Sequence, residues 1–155
     1  MGRTEHYRDP LAPKANSIVV ATTVFVRGDD SVLLIRRSDN GLWALPGGAQ
    51  EIGETISGAA VRETREETGI DVEIVGMVGI YSDPDHIVAY ADGEVRQQFS
   101  ICLRGAYVSG EPVCSDESLE VRWVDRDELD ALAIHPSMRL RIDHGYANRP
   151  EPYIG

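Results

Sequence analysis

Runs of apolar residues divide the chain into a series of predicted strands. The clearest is the run SIVVATTVFV at 17–26, because β-branched side chains pack well on a pleated surface. The run SVLLIRR at 31–37 follows after a short polar turn, so the two strands are predicted to form a hairpin. Three more apolar segments are predicted strands, at 72–81, 95–108 and 119–124.

A helix is predicted between these strands, at about 56–68. Thr55 is a favourable N-cap because its hydroxyl accepts a hydrogen bond from a free amide of the first turn, and Gly69 supplies a left-handed stop. At about 100° per residue, three acids share one helix face: Glu63, Glu66 and Glu67. A second face, predicted to pack on a sheet, carries Ala60, Val61, Thr64 and Thr68.

The more polar segments set the predicted domain organisation. Residues 1–16 contain two prolines and are predicted to form an arm, residues 17–146 one domain, and residues 147–155 an irregular tail. A polar loop and two further helices are predicted at 82–93, 125–132 and 136–146. Strands around a central helix, followed by terminal helices, indicate an α/β fold with a mixed sandwich architecture.

Length and charge narrow the classes of function. The 155 residues fit one domain, and 42% of them are hydrophobic, as in ordinary globular proteins. The net charge of −11 argues against nucleic acid as a partner, since that affinity comes from neutralised phosphates. The apolar runs are too short to span a bilayer, so no membrane partner is expected. Cys102 and Cys114 lack metal-site spacing and are expected to be free thiols in a reducing cytoplasm.

The most specific pattern of the chain lies between Gly48 and Ile70. The segment reads GAQEIGETISGAAVRETREETGI and follows the spacing G-x5-E-x7-R-E-x-x-E-E-x-G before an apolar residue. At ordinary residue frequencies, these fixed positions match by chance roughly once in 10⁸ starts. On these residues the chain resembles the Nudix hydrolases, because every fixed letter of that family's box is present. Thr64 departs, since the family usually has an aliphatic residue there.

The three glutamates of the predicted helix indicate a metal site by their own chemistry. Like charges on one face repel, at a cost of roughly 0.2–0.5 kcal/mol for each i,i+4 pair, which suits a face that holds a divalent cation. Ligands that are all oxygen select Mg²⁺ or Mn²⁺ rather than zinc. A solvated helix face is the alternative interpretation, and the glycine turn together with the complete spacing favours the metal site.

The resemblance to the Nudix hydrolases implies a fold, a reaction and metal ligands. The fold is the Nudix-type α/β/α sandwich with a mixed β-sheet, and the reaction is hydrolysis of a nucleoside diphosphate linked to another group. Glu66 and Glu67 match the family's principal metal ligands. The Gly47 backbone carbonyl matches a further ligand. Members of the family often form dimers, so a homodimer is an expectation as well.

Catalytic roles follow from the same resemblance. Glu63 matches a residue that binds metal or acts as the general base, and Arg62 is expected to orient it through a charge-assisted hydrogen bond. Glu54 matches a residue that supports the metal ligands, the alternative being an interaction with the helix dipole. Family members often take a base from a loop before a late strand. Glu117, with Asp116 beside it, occupies that position, the alternative being a solvated loop acid.

The substrate is the least constrained expectation. Some ADP-ribose hydrolases of the family carry a proline about fifteen residues beyond the box, where Pro84 stands in this chain. ADP-ribose or a similar nucleotide sugar is therefore favoured as the small-molecule substrate. A nucleoside triphosphate pyrophosphohydrolase that clears damaged nucleotides is the alternative. A non-catalytic Nudix-fold binding module is a third possibility, and the complete set of box acids argues against it.

Overall fold

The computed structural model describes residues 2–155, which form nine strands, two α-helices and one 3-10 helix. The strands are β1 (Arg3–Tyr7), β2 (Ser17–Val26), β3 (Ser31–Arg37), β4 (Trp43–Ala44), β5 (Gly47–Ala49), β6 (Asp71–Tyr90), β7 (Val95–Ser109), β8 (Ser118–Asp125) and β9 (Tyr153–Ile154). The helices are α1 (Ile56–Thr68), the 3-10 helix (Arg126–Ala131) and α2 (Pro136–Ala147). None of the helices in residues 2–155 is long and apolar enough to cross a membrane.

The strands form two sheets, and the larger one is mixed. Its order is β1-β6-β7-β2-β5, with β9 beside β6, and β2 runs parallel to β7 while β6 runs antiparallel to β7. The smaller sheet has the antiparallel order β4-β3-β8. The predicted hairpin of β2 and β3 is therefore wrong. Within residues 2–155 their backbones pair only at the turn, through the bridge between Arg27 and Val32, because each strand then joins a different sheet.

The buried side chains form two hydrophobic cores, which lie on opposite faces of β2. Along β2, Phe25 packs in one core with Ile142 and Tyr146 of α2, whereas its neighbours Val24 and Val26 pack in the other core. The second core also contains Ala60 of α1. Successive residues of a strand point to opposite faces, so α1 and α2 cover different faces of the sheet. The predicted α/β/α sandwich with a mixed β-sheet is confirmed.

Helix α1 forms where its caps predict it. The Thr55 hydroxyl accepts a hydrogen bond from the Gly58 N–H at 3.0 Å, and a cap of this kind stabilises a helix by about 1 kcal/mol. Gly69 ends the helix with φ of 76°, the left-handed conformation that a residue without a Cβ adopts readily. Thr64 and Thr68 are fully buried, as predicted for the face that packs on the sheet.

Other segments differ from the prediction. The predicted loop at 82–93 is wrong for most of its length, because β6 continues to Tyr90 and is paired with β7 and, in its last part, with β1. Its pairing with β7 shifts register between Asp83 and Ile87, and this irregularity accommodates Pro84. The predicted helix at 125–132 is a shorter 3-10 helix. The arm and the tail each contribute a strand, β1 and β9, that their composition does not indicate.

Candidate active site

A cleft of about 800 Å³ lies beside α1 and is lined by residues from many elements. The α1 end of the cleft is acidic and consists of Glu63, Glu66 and Glu67. The α2 end of the cleft consists of His86, His135 and Arg141. The sheet order separates the two ends, because β5, which contacts α1, and β1, which carries Glu5 towards His86, are opposite edges of the larger sheet.

Glu67 is the most buried acid at the α1 end, with 4% of its surface exposed. Its Oε1 accepts a hydrogen bond from the Gly47 backbone N–H at 2.8 Å. Burial raises the pKa of Glu67 to about 8, and the charge of Glu63 adds to the shift. Gly47 is held tightly against β2, since a Cβ there would lie 2.0 Å from the Thr22 carbonyl oxygen. Only glycine at this position lets the backbone reach the carboxylate.

Glu63 is a half-buried acid that faces the same glycine turn. Burial is the largest cause that raises its pKa, against the opposing effect of Arg62. A Cβ on Gly48 would lie 2.5 Å from the Glu63 carboxyl group, so the turn leaves room for this side chain only because residue 48 is glycine. Glu66 differs from its two neighbours, because 60% of its side chain is exposed.

Arg62 connects the acids of this end into one network. Its Nε donates to Glu54 Oε2 at 2.7 Å and its second terminal nitrogen donates to Glu54 Oε1 at 2.9 Å, which is a bidentate pair. Its first terminal nitrogen donates to Glu63 at 3.0 Å and to Glu66 at 3.2 Å. These carboxylates raise the pKa of Arg62, with Glu54 as the largest cause. Arg62 therefore fixes the side chain of Glu63 relative to the helix.

The donor set at the α1 end fits a hard divalent cation. Two desolvated carboxyl groups with raised pKa lie side by side, and Glu67 has a single backbone N–H as its hydrogen-bond donor. Buried carboxylates normally have a cation or several donors around them. The oxygen-only set matches the ligands that Mg²⁺ and similar ions prefer. The role of the Gly47 carbonyl as a ligand stays a prediction.

The loop acids Asp116 and Glu117 line the same cleft. The Ser38 N–H donates to the Glu117 carbonyl at 3.0 Å, and the Glu117 N–H donates to Ser115 Oγ at 3.2 Å, so the loop is anchored on both sides. After burial and nearer groups, the charge of Glu117 also contributes to the raised pKa values of Glu63 and Glu67. The fold therefore places Glu117 at the cleft. Its role as a base stays a prediction.

A second group of potential ligands lies away from α1. In residues 2–155, only Glu5, His86 and His135 place three ligand atoms of His, Cys, Asp or Glu within 4.8 Å of one another. His86 falls in the segment predicted to be a polar loop at 82–93, but it lies in β6 with 4% of its surface exposed. The pairing of β1 with β6 creates this group, and nothing in the polarity of residues 1–16 marks Glu5 as part of a site.

The Glu5 group fits a cation less well than the α1 acids do. His86 Nε2 lies 2.5 Å from Glu5 Oε1, and Arg3 forms an ion pair with Glu5 at 3.4 Å. These contacts, with the His86 hydrogen bond as the largest cause, lower the pKa of Glu5. His135 Nδ1 accepts the Ser137 N–H at 3.2 Å as the N-cap of α2, which leaves the proton of the neutral ring on Nε2. The Glu5 carboxylate is therefore already stabilised by hydrogen bonds and charges of its neighbours.

Comparison with known proteins defines the class. The family model described as NUDIX domain matches residues 17–144. The chain is 34% identical over 122 residues to an ADP-ribose pyrophosphatase of Methanocaldococcus jannaschii, covering 74% of this chain and 66% of the relative. It is 35% identical over 103 residues to a nucleoside triphosphatase of Enterobacter sp., covering 64% of this chain and 73% of the relative.

A solved structure gives the same result for the whole fold. A NUDIX hydrolase from Nitrosomonas europaea superposes with a TM-score of 0.71 at 25% identity, covering 88% of this chain and 93% of that one. The chain belongs to the Nudix family, whose members generally use divalent cations and act on small nucleotides, and it is a pyrophosphohydrolase of that family.

Proposed function

We propose that the protein hydrolyses the diphosphate linkage of a nucleoside diphosphate derivative with the help of Mg²⁺ or Mn²⁺, and that ADP-ribose or a similar nucleotide sugar is its substrate. The observation that carries the proposal is the pair of desolvated acids, Glu63 and Glu67, on the wall of one large cleft. Arg62 pairs with Glu63, but Glu67 forms no ion pair in residues 2–155. A buried acid without a neutralising cation is unfavourable, and a metal ion that binds with the diphosphate would supply that cation.

The metal would be held by Glu66, Glu67 and the Gly47 carbonyl, with Glu63 as a further ligand. A divalent cation bound there neutralises phosphate charge and lowers the pKa of a bound water. The buried position of Glu67 and its hydrogen bond from the Gly47 N–H keep this side chain in one conformation. The exposed side chain of Glu66 leaves it free to turn towards a ligand in the cleft.

The remaining residues are proposed to position the general base. Arg62 holds Glu63 at 3.0 Å and is itself held by the bidentate pair with Glu54. Glu117 lies on an anchored loop that lines the same cleft, so it is the proposed general base, and Glu63 is the alternative base. A positioned base takes a proton from the attacking water, which typically accelerates such a reaction about 10²–10⁴-fold.

The preference for ADP-ribose rests on the relative of that activity and on the size of the cleft. A volume of about 800 Å³ is near the upper end of pockets that hold small ligands, so a nucleotide with a second sugar fits the available space. Pro84, the sequence signal for this substrate, lies in the irregular part of β6 and does not line the cleft. It therefore gives the proposal no structural support.

A nucleoside triphosphate is the second candidate substrate. The nucleoside triphosphatase from Enterobacter sp. is as similar to this chain as the ADP-ribose pyrophosphatase is. The cleft is also lined by several arginines that would suit additional phosphate charge: Arg3, Arg37, Arg96 and Arg141. Three of these, Arg3, Arg37 and Arg96, are paired with acids of the chain, which reduces their capacity to bind a third phosphate.

The cellular setting is part of the proposal. Both cysteines are free, with Cys102 buried and Cys114 exposed. An exposed free thiol is typical of proteins that work in a reducing compartment, which supports the cytoplasm as the site of action. The proposed partner is a small nucleotide.

A panel of nucleotide substrates tests the proposed function. ADP-ribose, a nucleotide sugar and nucleoside triphosphates are incubated with Mg²⁺, with Mn²⁺ or with EDTA, and the products are separated by chromatography. We expect AMP and ribose 5-phosphate from ADP-ribose with either metal, and no product in EDTA. Release of pyrophosphate from triphosphates at a higher kcat/KM than ADP-ribose hydrolysis would favour the second candidate. Equal turnover in thoroughly chelated buffer would contradict the metal mechanism.

A further inference from the structure

Arg141 is the most buried arginine of residues 2–155, with 6% of its surface exposed. It lies on α2 and lines the main cleft, and it also lines a second cavity of about 280 Å³. His86, Gln98 and Ser137 line both cavities as well, so Arg141 stands in the wall between the two spaces. Arg141 therefore borders the cleft, although the protein covers most of its side chain.

The protein leaves most of this guanidinium unsatisfied. One terminal nitrogen donates to the Ser137 carbonyl at 3.0 Å, and Nε has no hydrogen-bond partner within residues 2–155. Arg141 forms no ion pair with any acid of the described chain; Glu5 acts on it only at longer range and is paired with Arg3 and His86. Burial lowers the pKa of Arg141, which reflects the cost of keeping this charge away from water. Buried charges are normally paired.

The surroundings of Arg141 provide a platform and a second polar group. The guanidinium lies over the Tyr81 ring, 4.8 Å from its centroid. Tyr81 of β6 is the register partner of Ser100 of β7, and opposite residues of an antiparallel pair point to the same face. Ser100 is 3% exposed, lines the cleft, and its hydroxyl has no partner within residues 2–155. Two unsatisfied donors thus belong to one wall of the cleft.

We propose that Arg141, assisted by the Ser100 hydroxyl, binds a phosphate group at the α2 end of the cleft. Arginine presents parallel N–H donors that match phosphate oxygens, and stacking on Tyr81 holds the plane of the guanidinium in place. A bound phosphate would supply the negative charge that Arg141 lacks, because no acid of residues 2–155 forms an ion pair with it. That this phosphate belongs to the substrate or its product rests on the proposed function, whereas the existence of the anion site does not.

Binding of inorganic phosphate and of AMP to metal-free protein tests the site. In EDTA the α1 end of the cleft is acidic and repels phosphate, so calorimetry at constant ionic strength reports binding elsewhere. We expect Arg141→Gln to weaken both affinities about 10- to 100-fold, as for loss of charged hydrogen bonds. Gln keeps a donor for the Ser137 carbonyl, which favours a folded variant.

The matched control is Arg139→Met, two residues away on the same helix. It removes the same charge, but Arg139 is only partly buried, is paired with Asp130 and Asp143 and does not line the cleft, so we expect wild-type phosphate affinity. If Arg141→Gln does not fold by circular dichroism, Arg141→Lys is used, and we expect about tenfold weaker binding because an ammonium group lacks the planar fork. Wild-type affinity in the folded Arg141 variant, or an equal loss in Arg139→Met, would overturn the proposal. Failure of hydrolysis with retained Arg141-dependent phosphate binding would reject the proposed function alone.

Discussion

Each end of the cleft buries one ionisable side chain, and the protein supplies only part of the hydrogen bonds that this side chain can form. At the α1 end, Glu67 receives a single backbone N–H, and at the α2 end, Arg141 finds a single backbone carbonyl. The signs are opposite, so the α1 end attracts a cation and the α2 end attracts an anion. A nucleotide that binds together with a divalent metal brings both charges into the cleft. The unsatisfied groups of the cleft therefore indicate the charges of the ligand, because each end is expected to bind a group whose charge is opposite to its own.

The largest effect is expected from Glu67→Gln, which removes the buried acid from the α1 end of the cleft. The change keeps the size of the side chain and an acceptor for the Gly47 N–H but removes the ligand charge. We expect the maximal rate with Mg²⁺ to fall at least about 10³-fold, because even a residue that only supports a metal ligand costs about 10–100-fold. The measurement is steady-state kinetics on ADP-ribose or the best substrate of the panel.

Thr64→Val is the control for that change, because Thr64 carries no charge, is buried one helical turn before Glu67, and its hydroxyl donates to the Ala60 carbonyl at 2.8 Å. It is expected to leave the rate nearly unchanged. An equal loss in both variants would mean that the rate reports the integrity of α1 and not the charge of Glu67.

The second prediction concerns the acid that comes from outside the box. Glu117→Gln is expected to lower the maximal rate about 100-fold, within the range of a general base, and to flatten the acidic limb of the pH–rate profile. Glu111→Gln is the matched control, since Glu111 is exposed on the same loop and does not line the cleft. A Glu117→Gln rate near wild type, at saturating metal and substrate, would return the role of base to Glu63.

The third prediction is a pH dependence of stability in metal-free protein. Burial raises the pKa of Glu67 from its ordinary 4.5 to about 8. Between these values the unfolded chain is ionised while the folded chain retains the proton, so stability falls as the pH rises from about 5 to 8. Relative to Glu67→Gln, wild type in EDTA is expected to lose about 3 kcal/mol over that range. Denaturant unfolding of both proteins at pH 5 and 8 measures this difference, and a constant difference would contradict it.

The fourth prediction separates the two glycines of the turn. Gly48→Ala would place a Cβ against the Glu63 carboxyl group, and we expect the displaced side chain to lower the rate about tenfold with little loss of stability, since small misplacements are costly to catalysis. Gly47→Ala would instead meet the Thr22 backbone and destabilise the fold. Gly76→Ala, whose Cβ would make ordinary contacts, serves as the control in thermal unfolding and rate assays.

The α1 end could be predicted from sequence because its geometry is local. Thr55, Gly69 and the i, i+3 and i+4 spacing of the acids act within one helix, so caps and helical period fix the bounds and the faces of α1. The spacing cannot tell that Glu67 is buried while Glu66 is exposed. That difference comes from the approach of β5, which packs its glycine backbone against one side of the helix.

The α2 end could not be predicted because it depends on contacts between distant segments. β1 joins β6 across about eighty residues of chain and brings Glu5 to His86. On α2 itself, Arg139 and Arg141 are two residues apart in the segment MRLRID, yet one is paired on the surface and the other is buried. The helix turns Arg141 inward together with Ile142, and only the packing of α2 on the sheet decides this orientation.

Direct measurement of Mn²⁺ binding tests the central claim, because the chain offers two sets of ligands for a cation. Electron paramagnetic resonance of free Mn²⁺ is followed during titration of wild type, of Glu67→Gln, and of a variant with His86→Ala and His135→Ala. If the metal site lies on α1, we expect saturable Mn²⁺ binding in wild type and in the double histidine variant, and a strong loss of Mn²⁺ affinity in Glu67→Gln. Unchanged Mn²⁺ binding in Glu67→Gln, with loss in the histidine variant, would contradict the assignment of the metal site to α1.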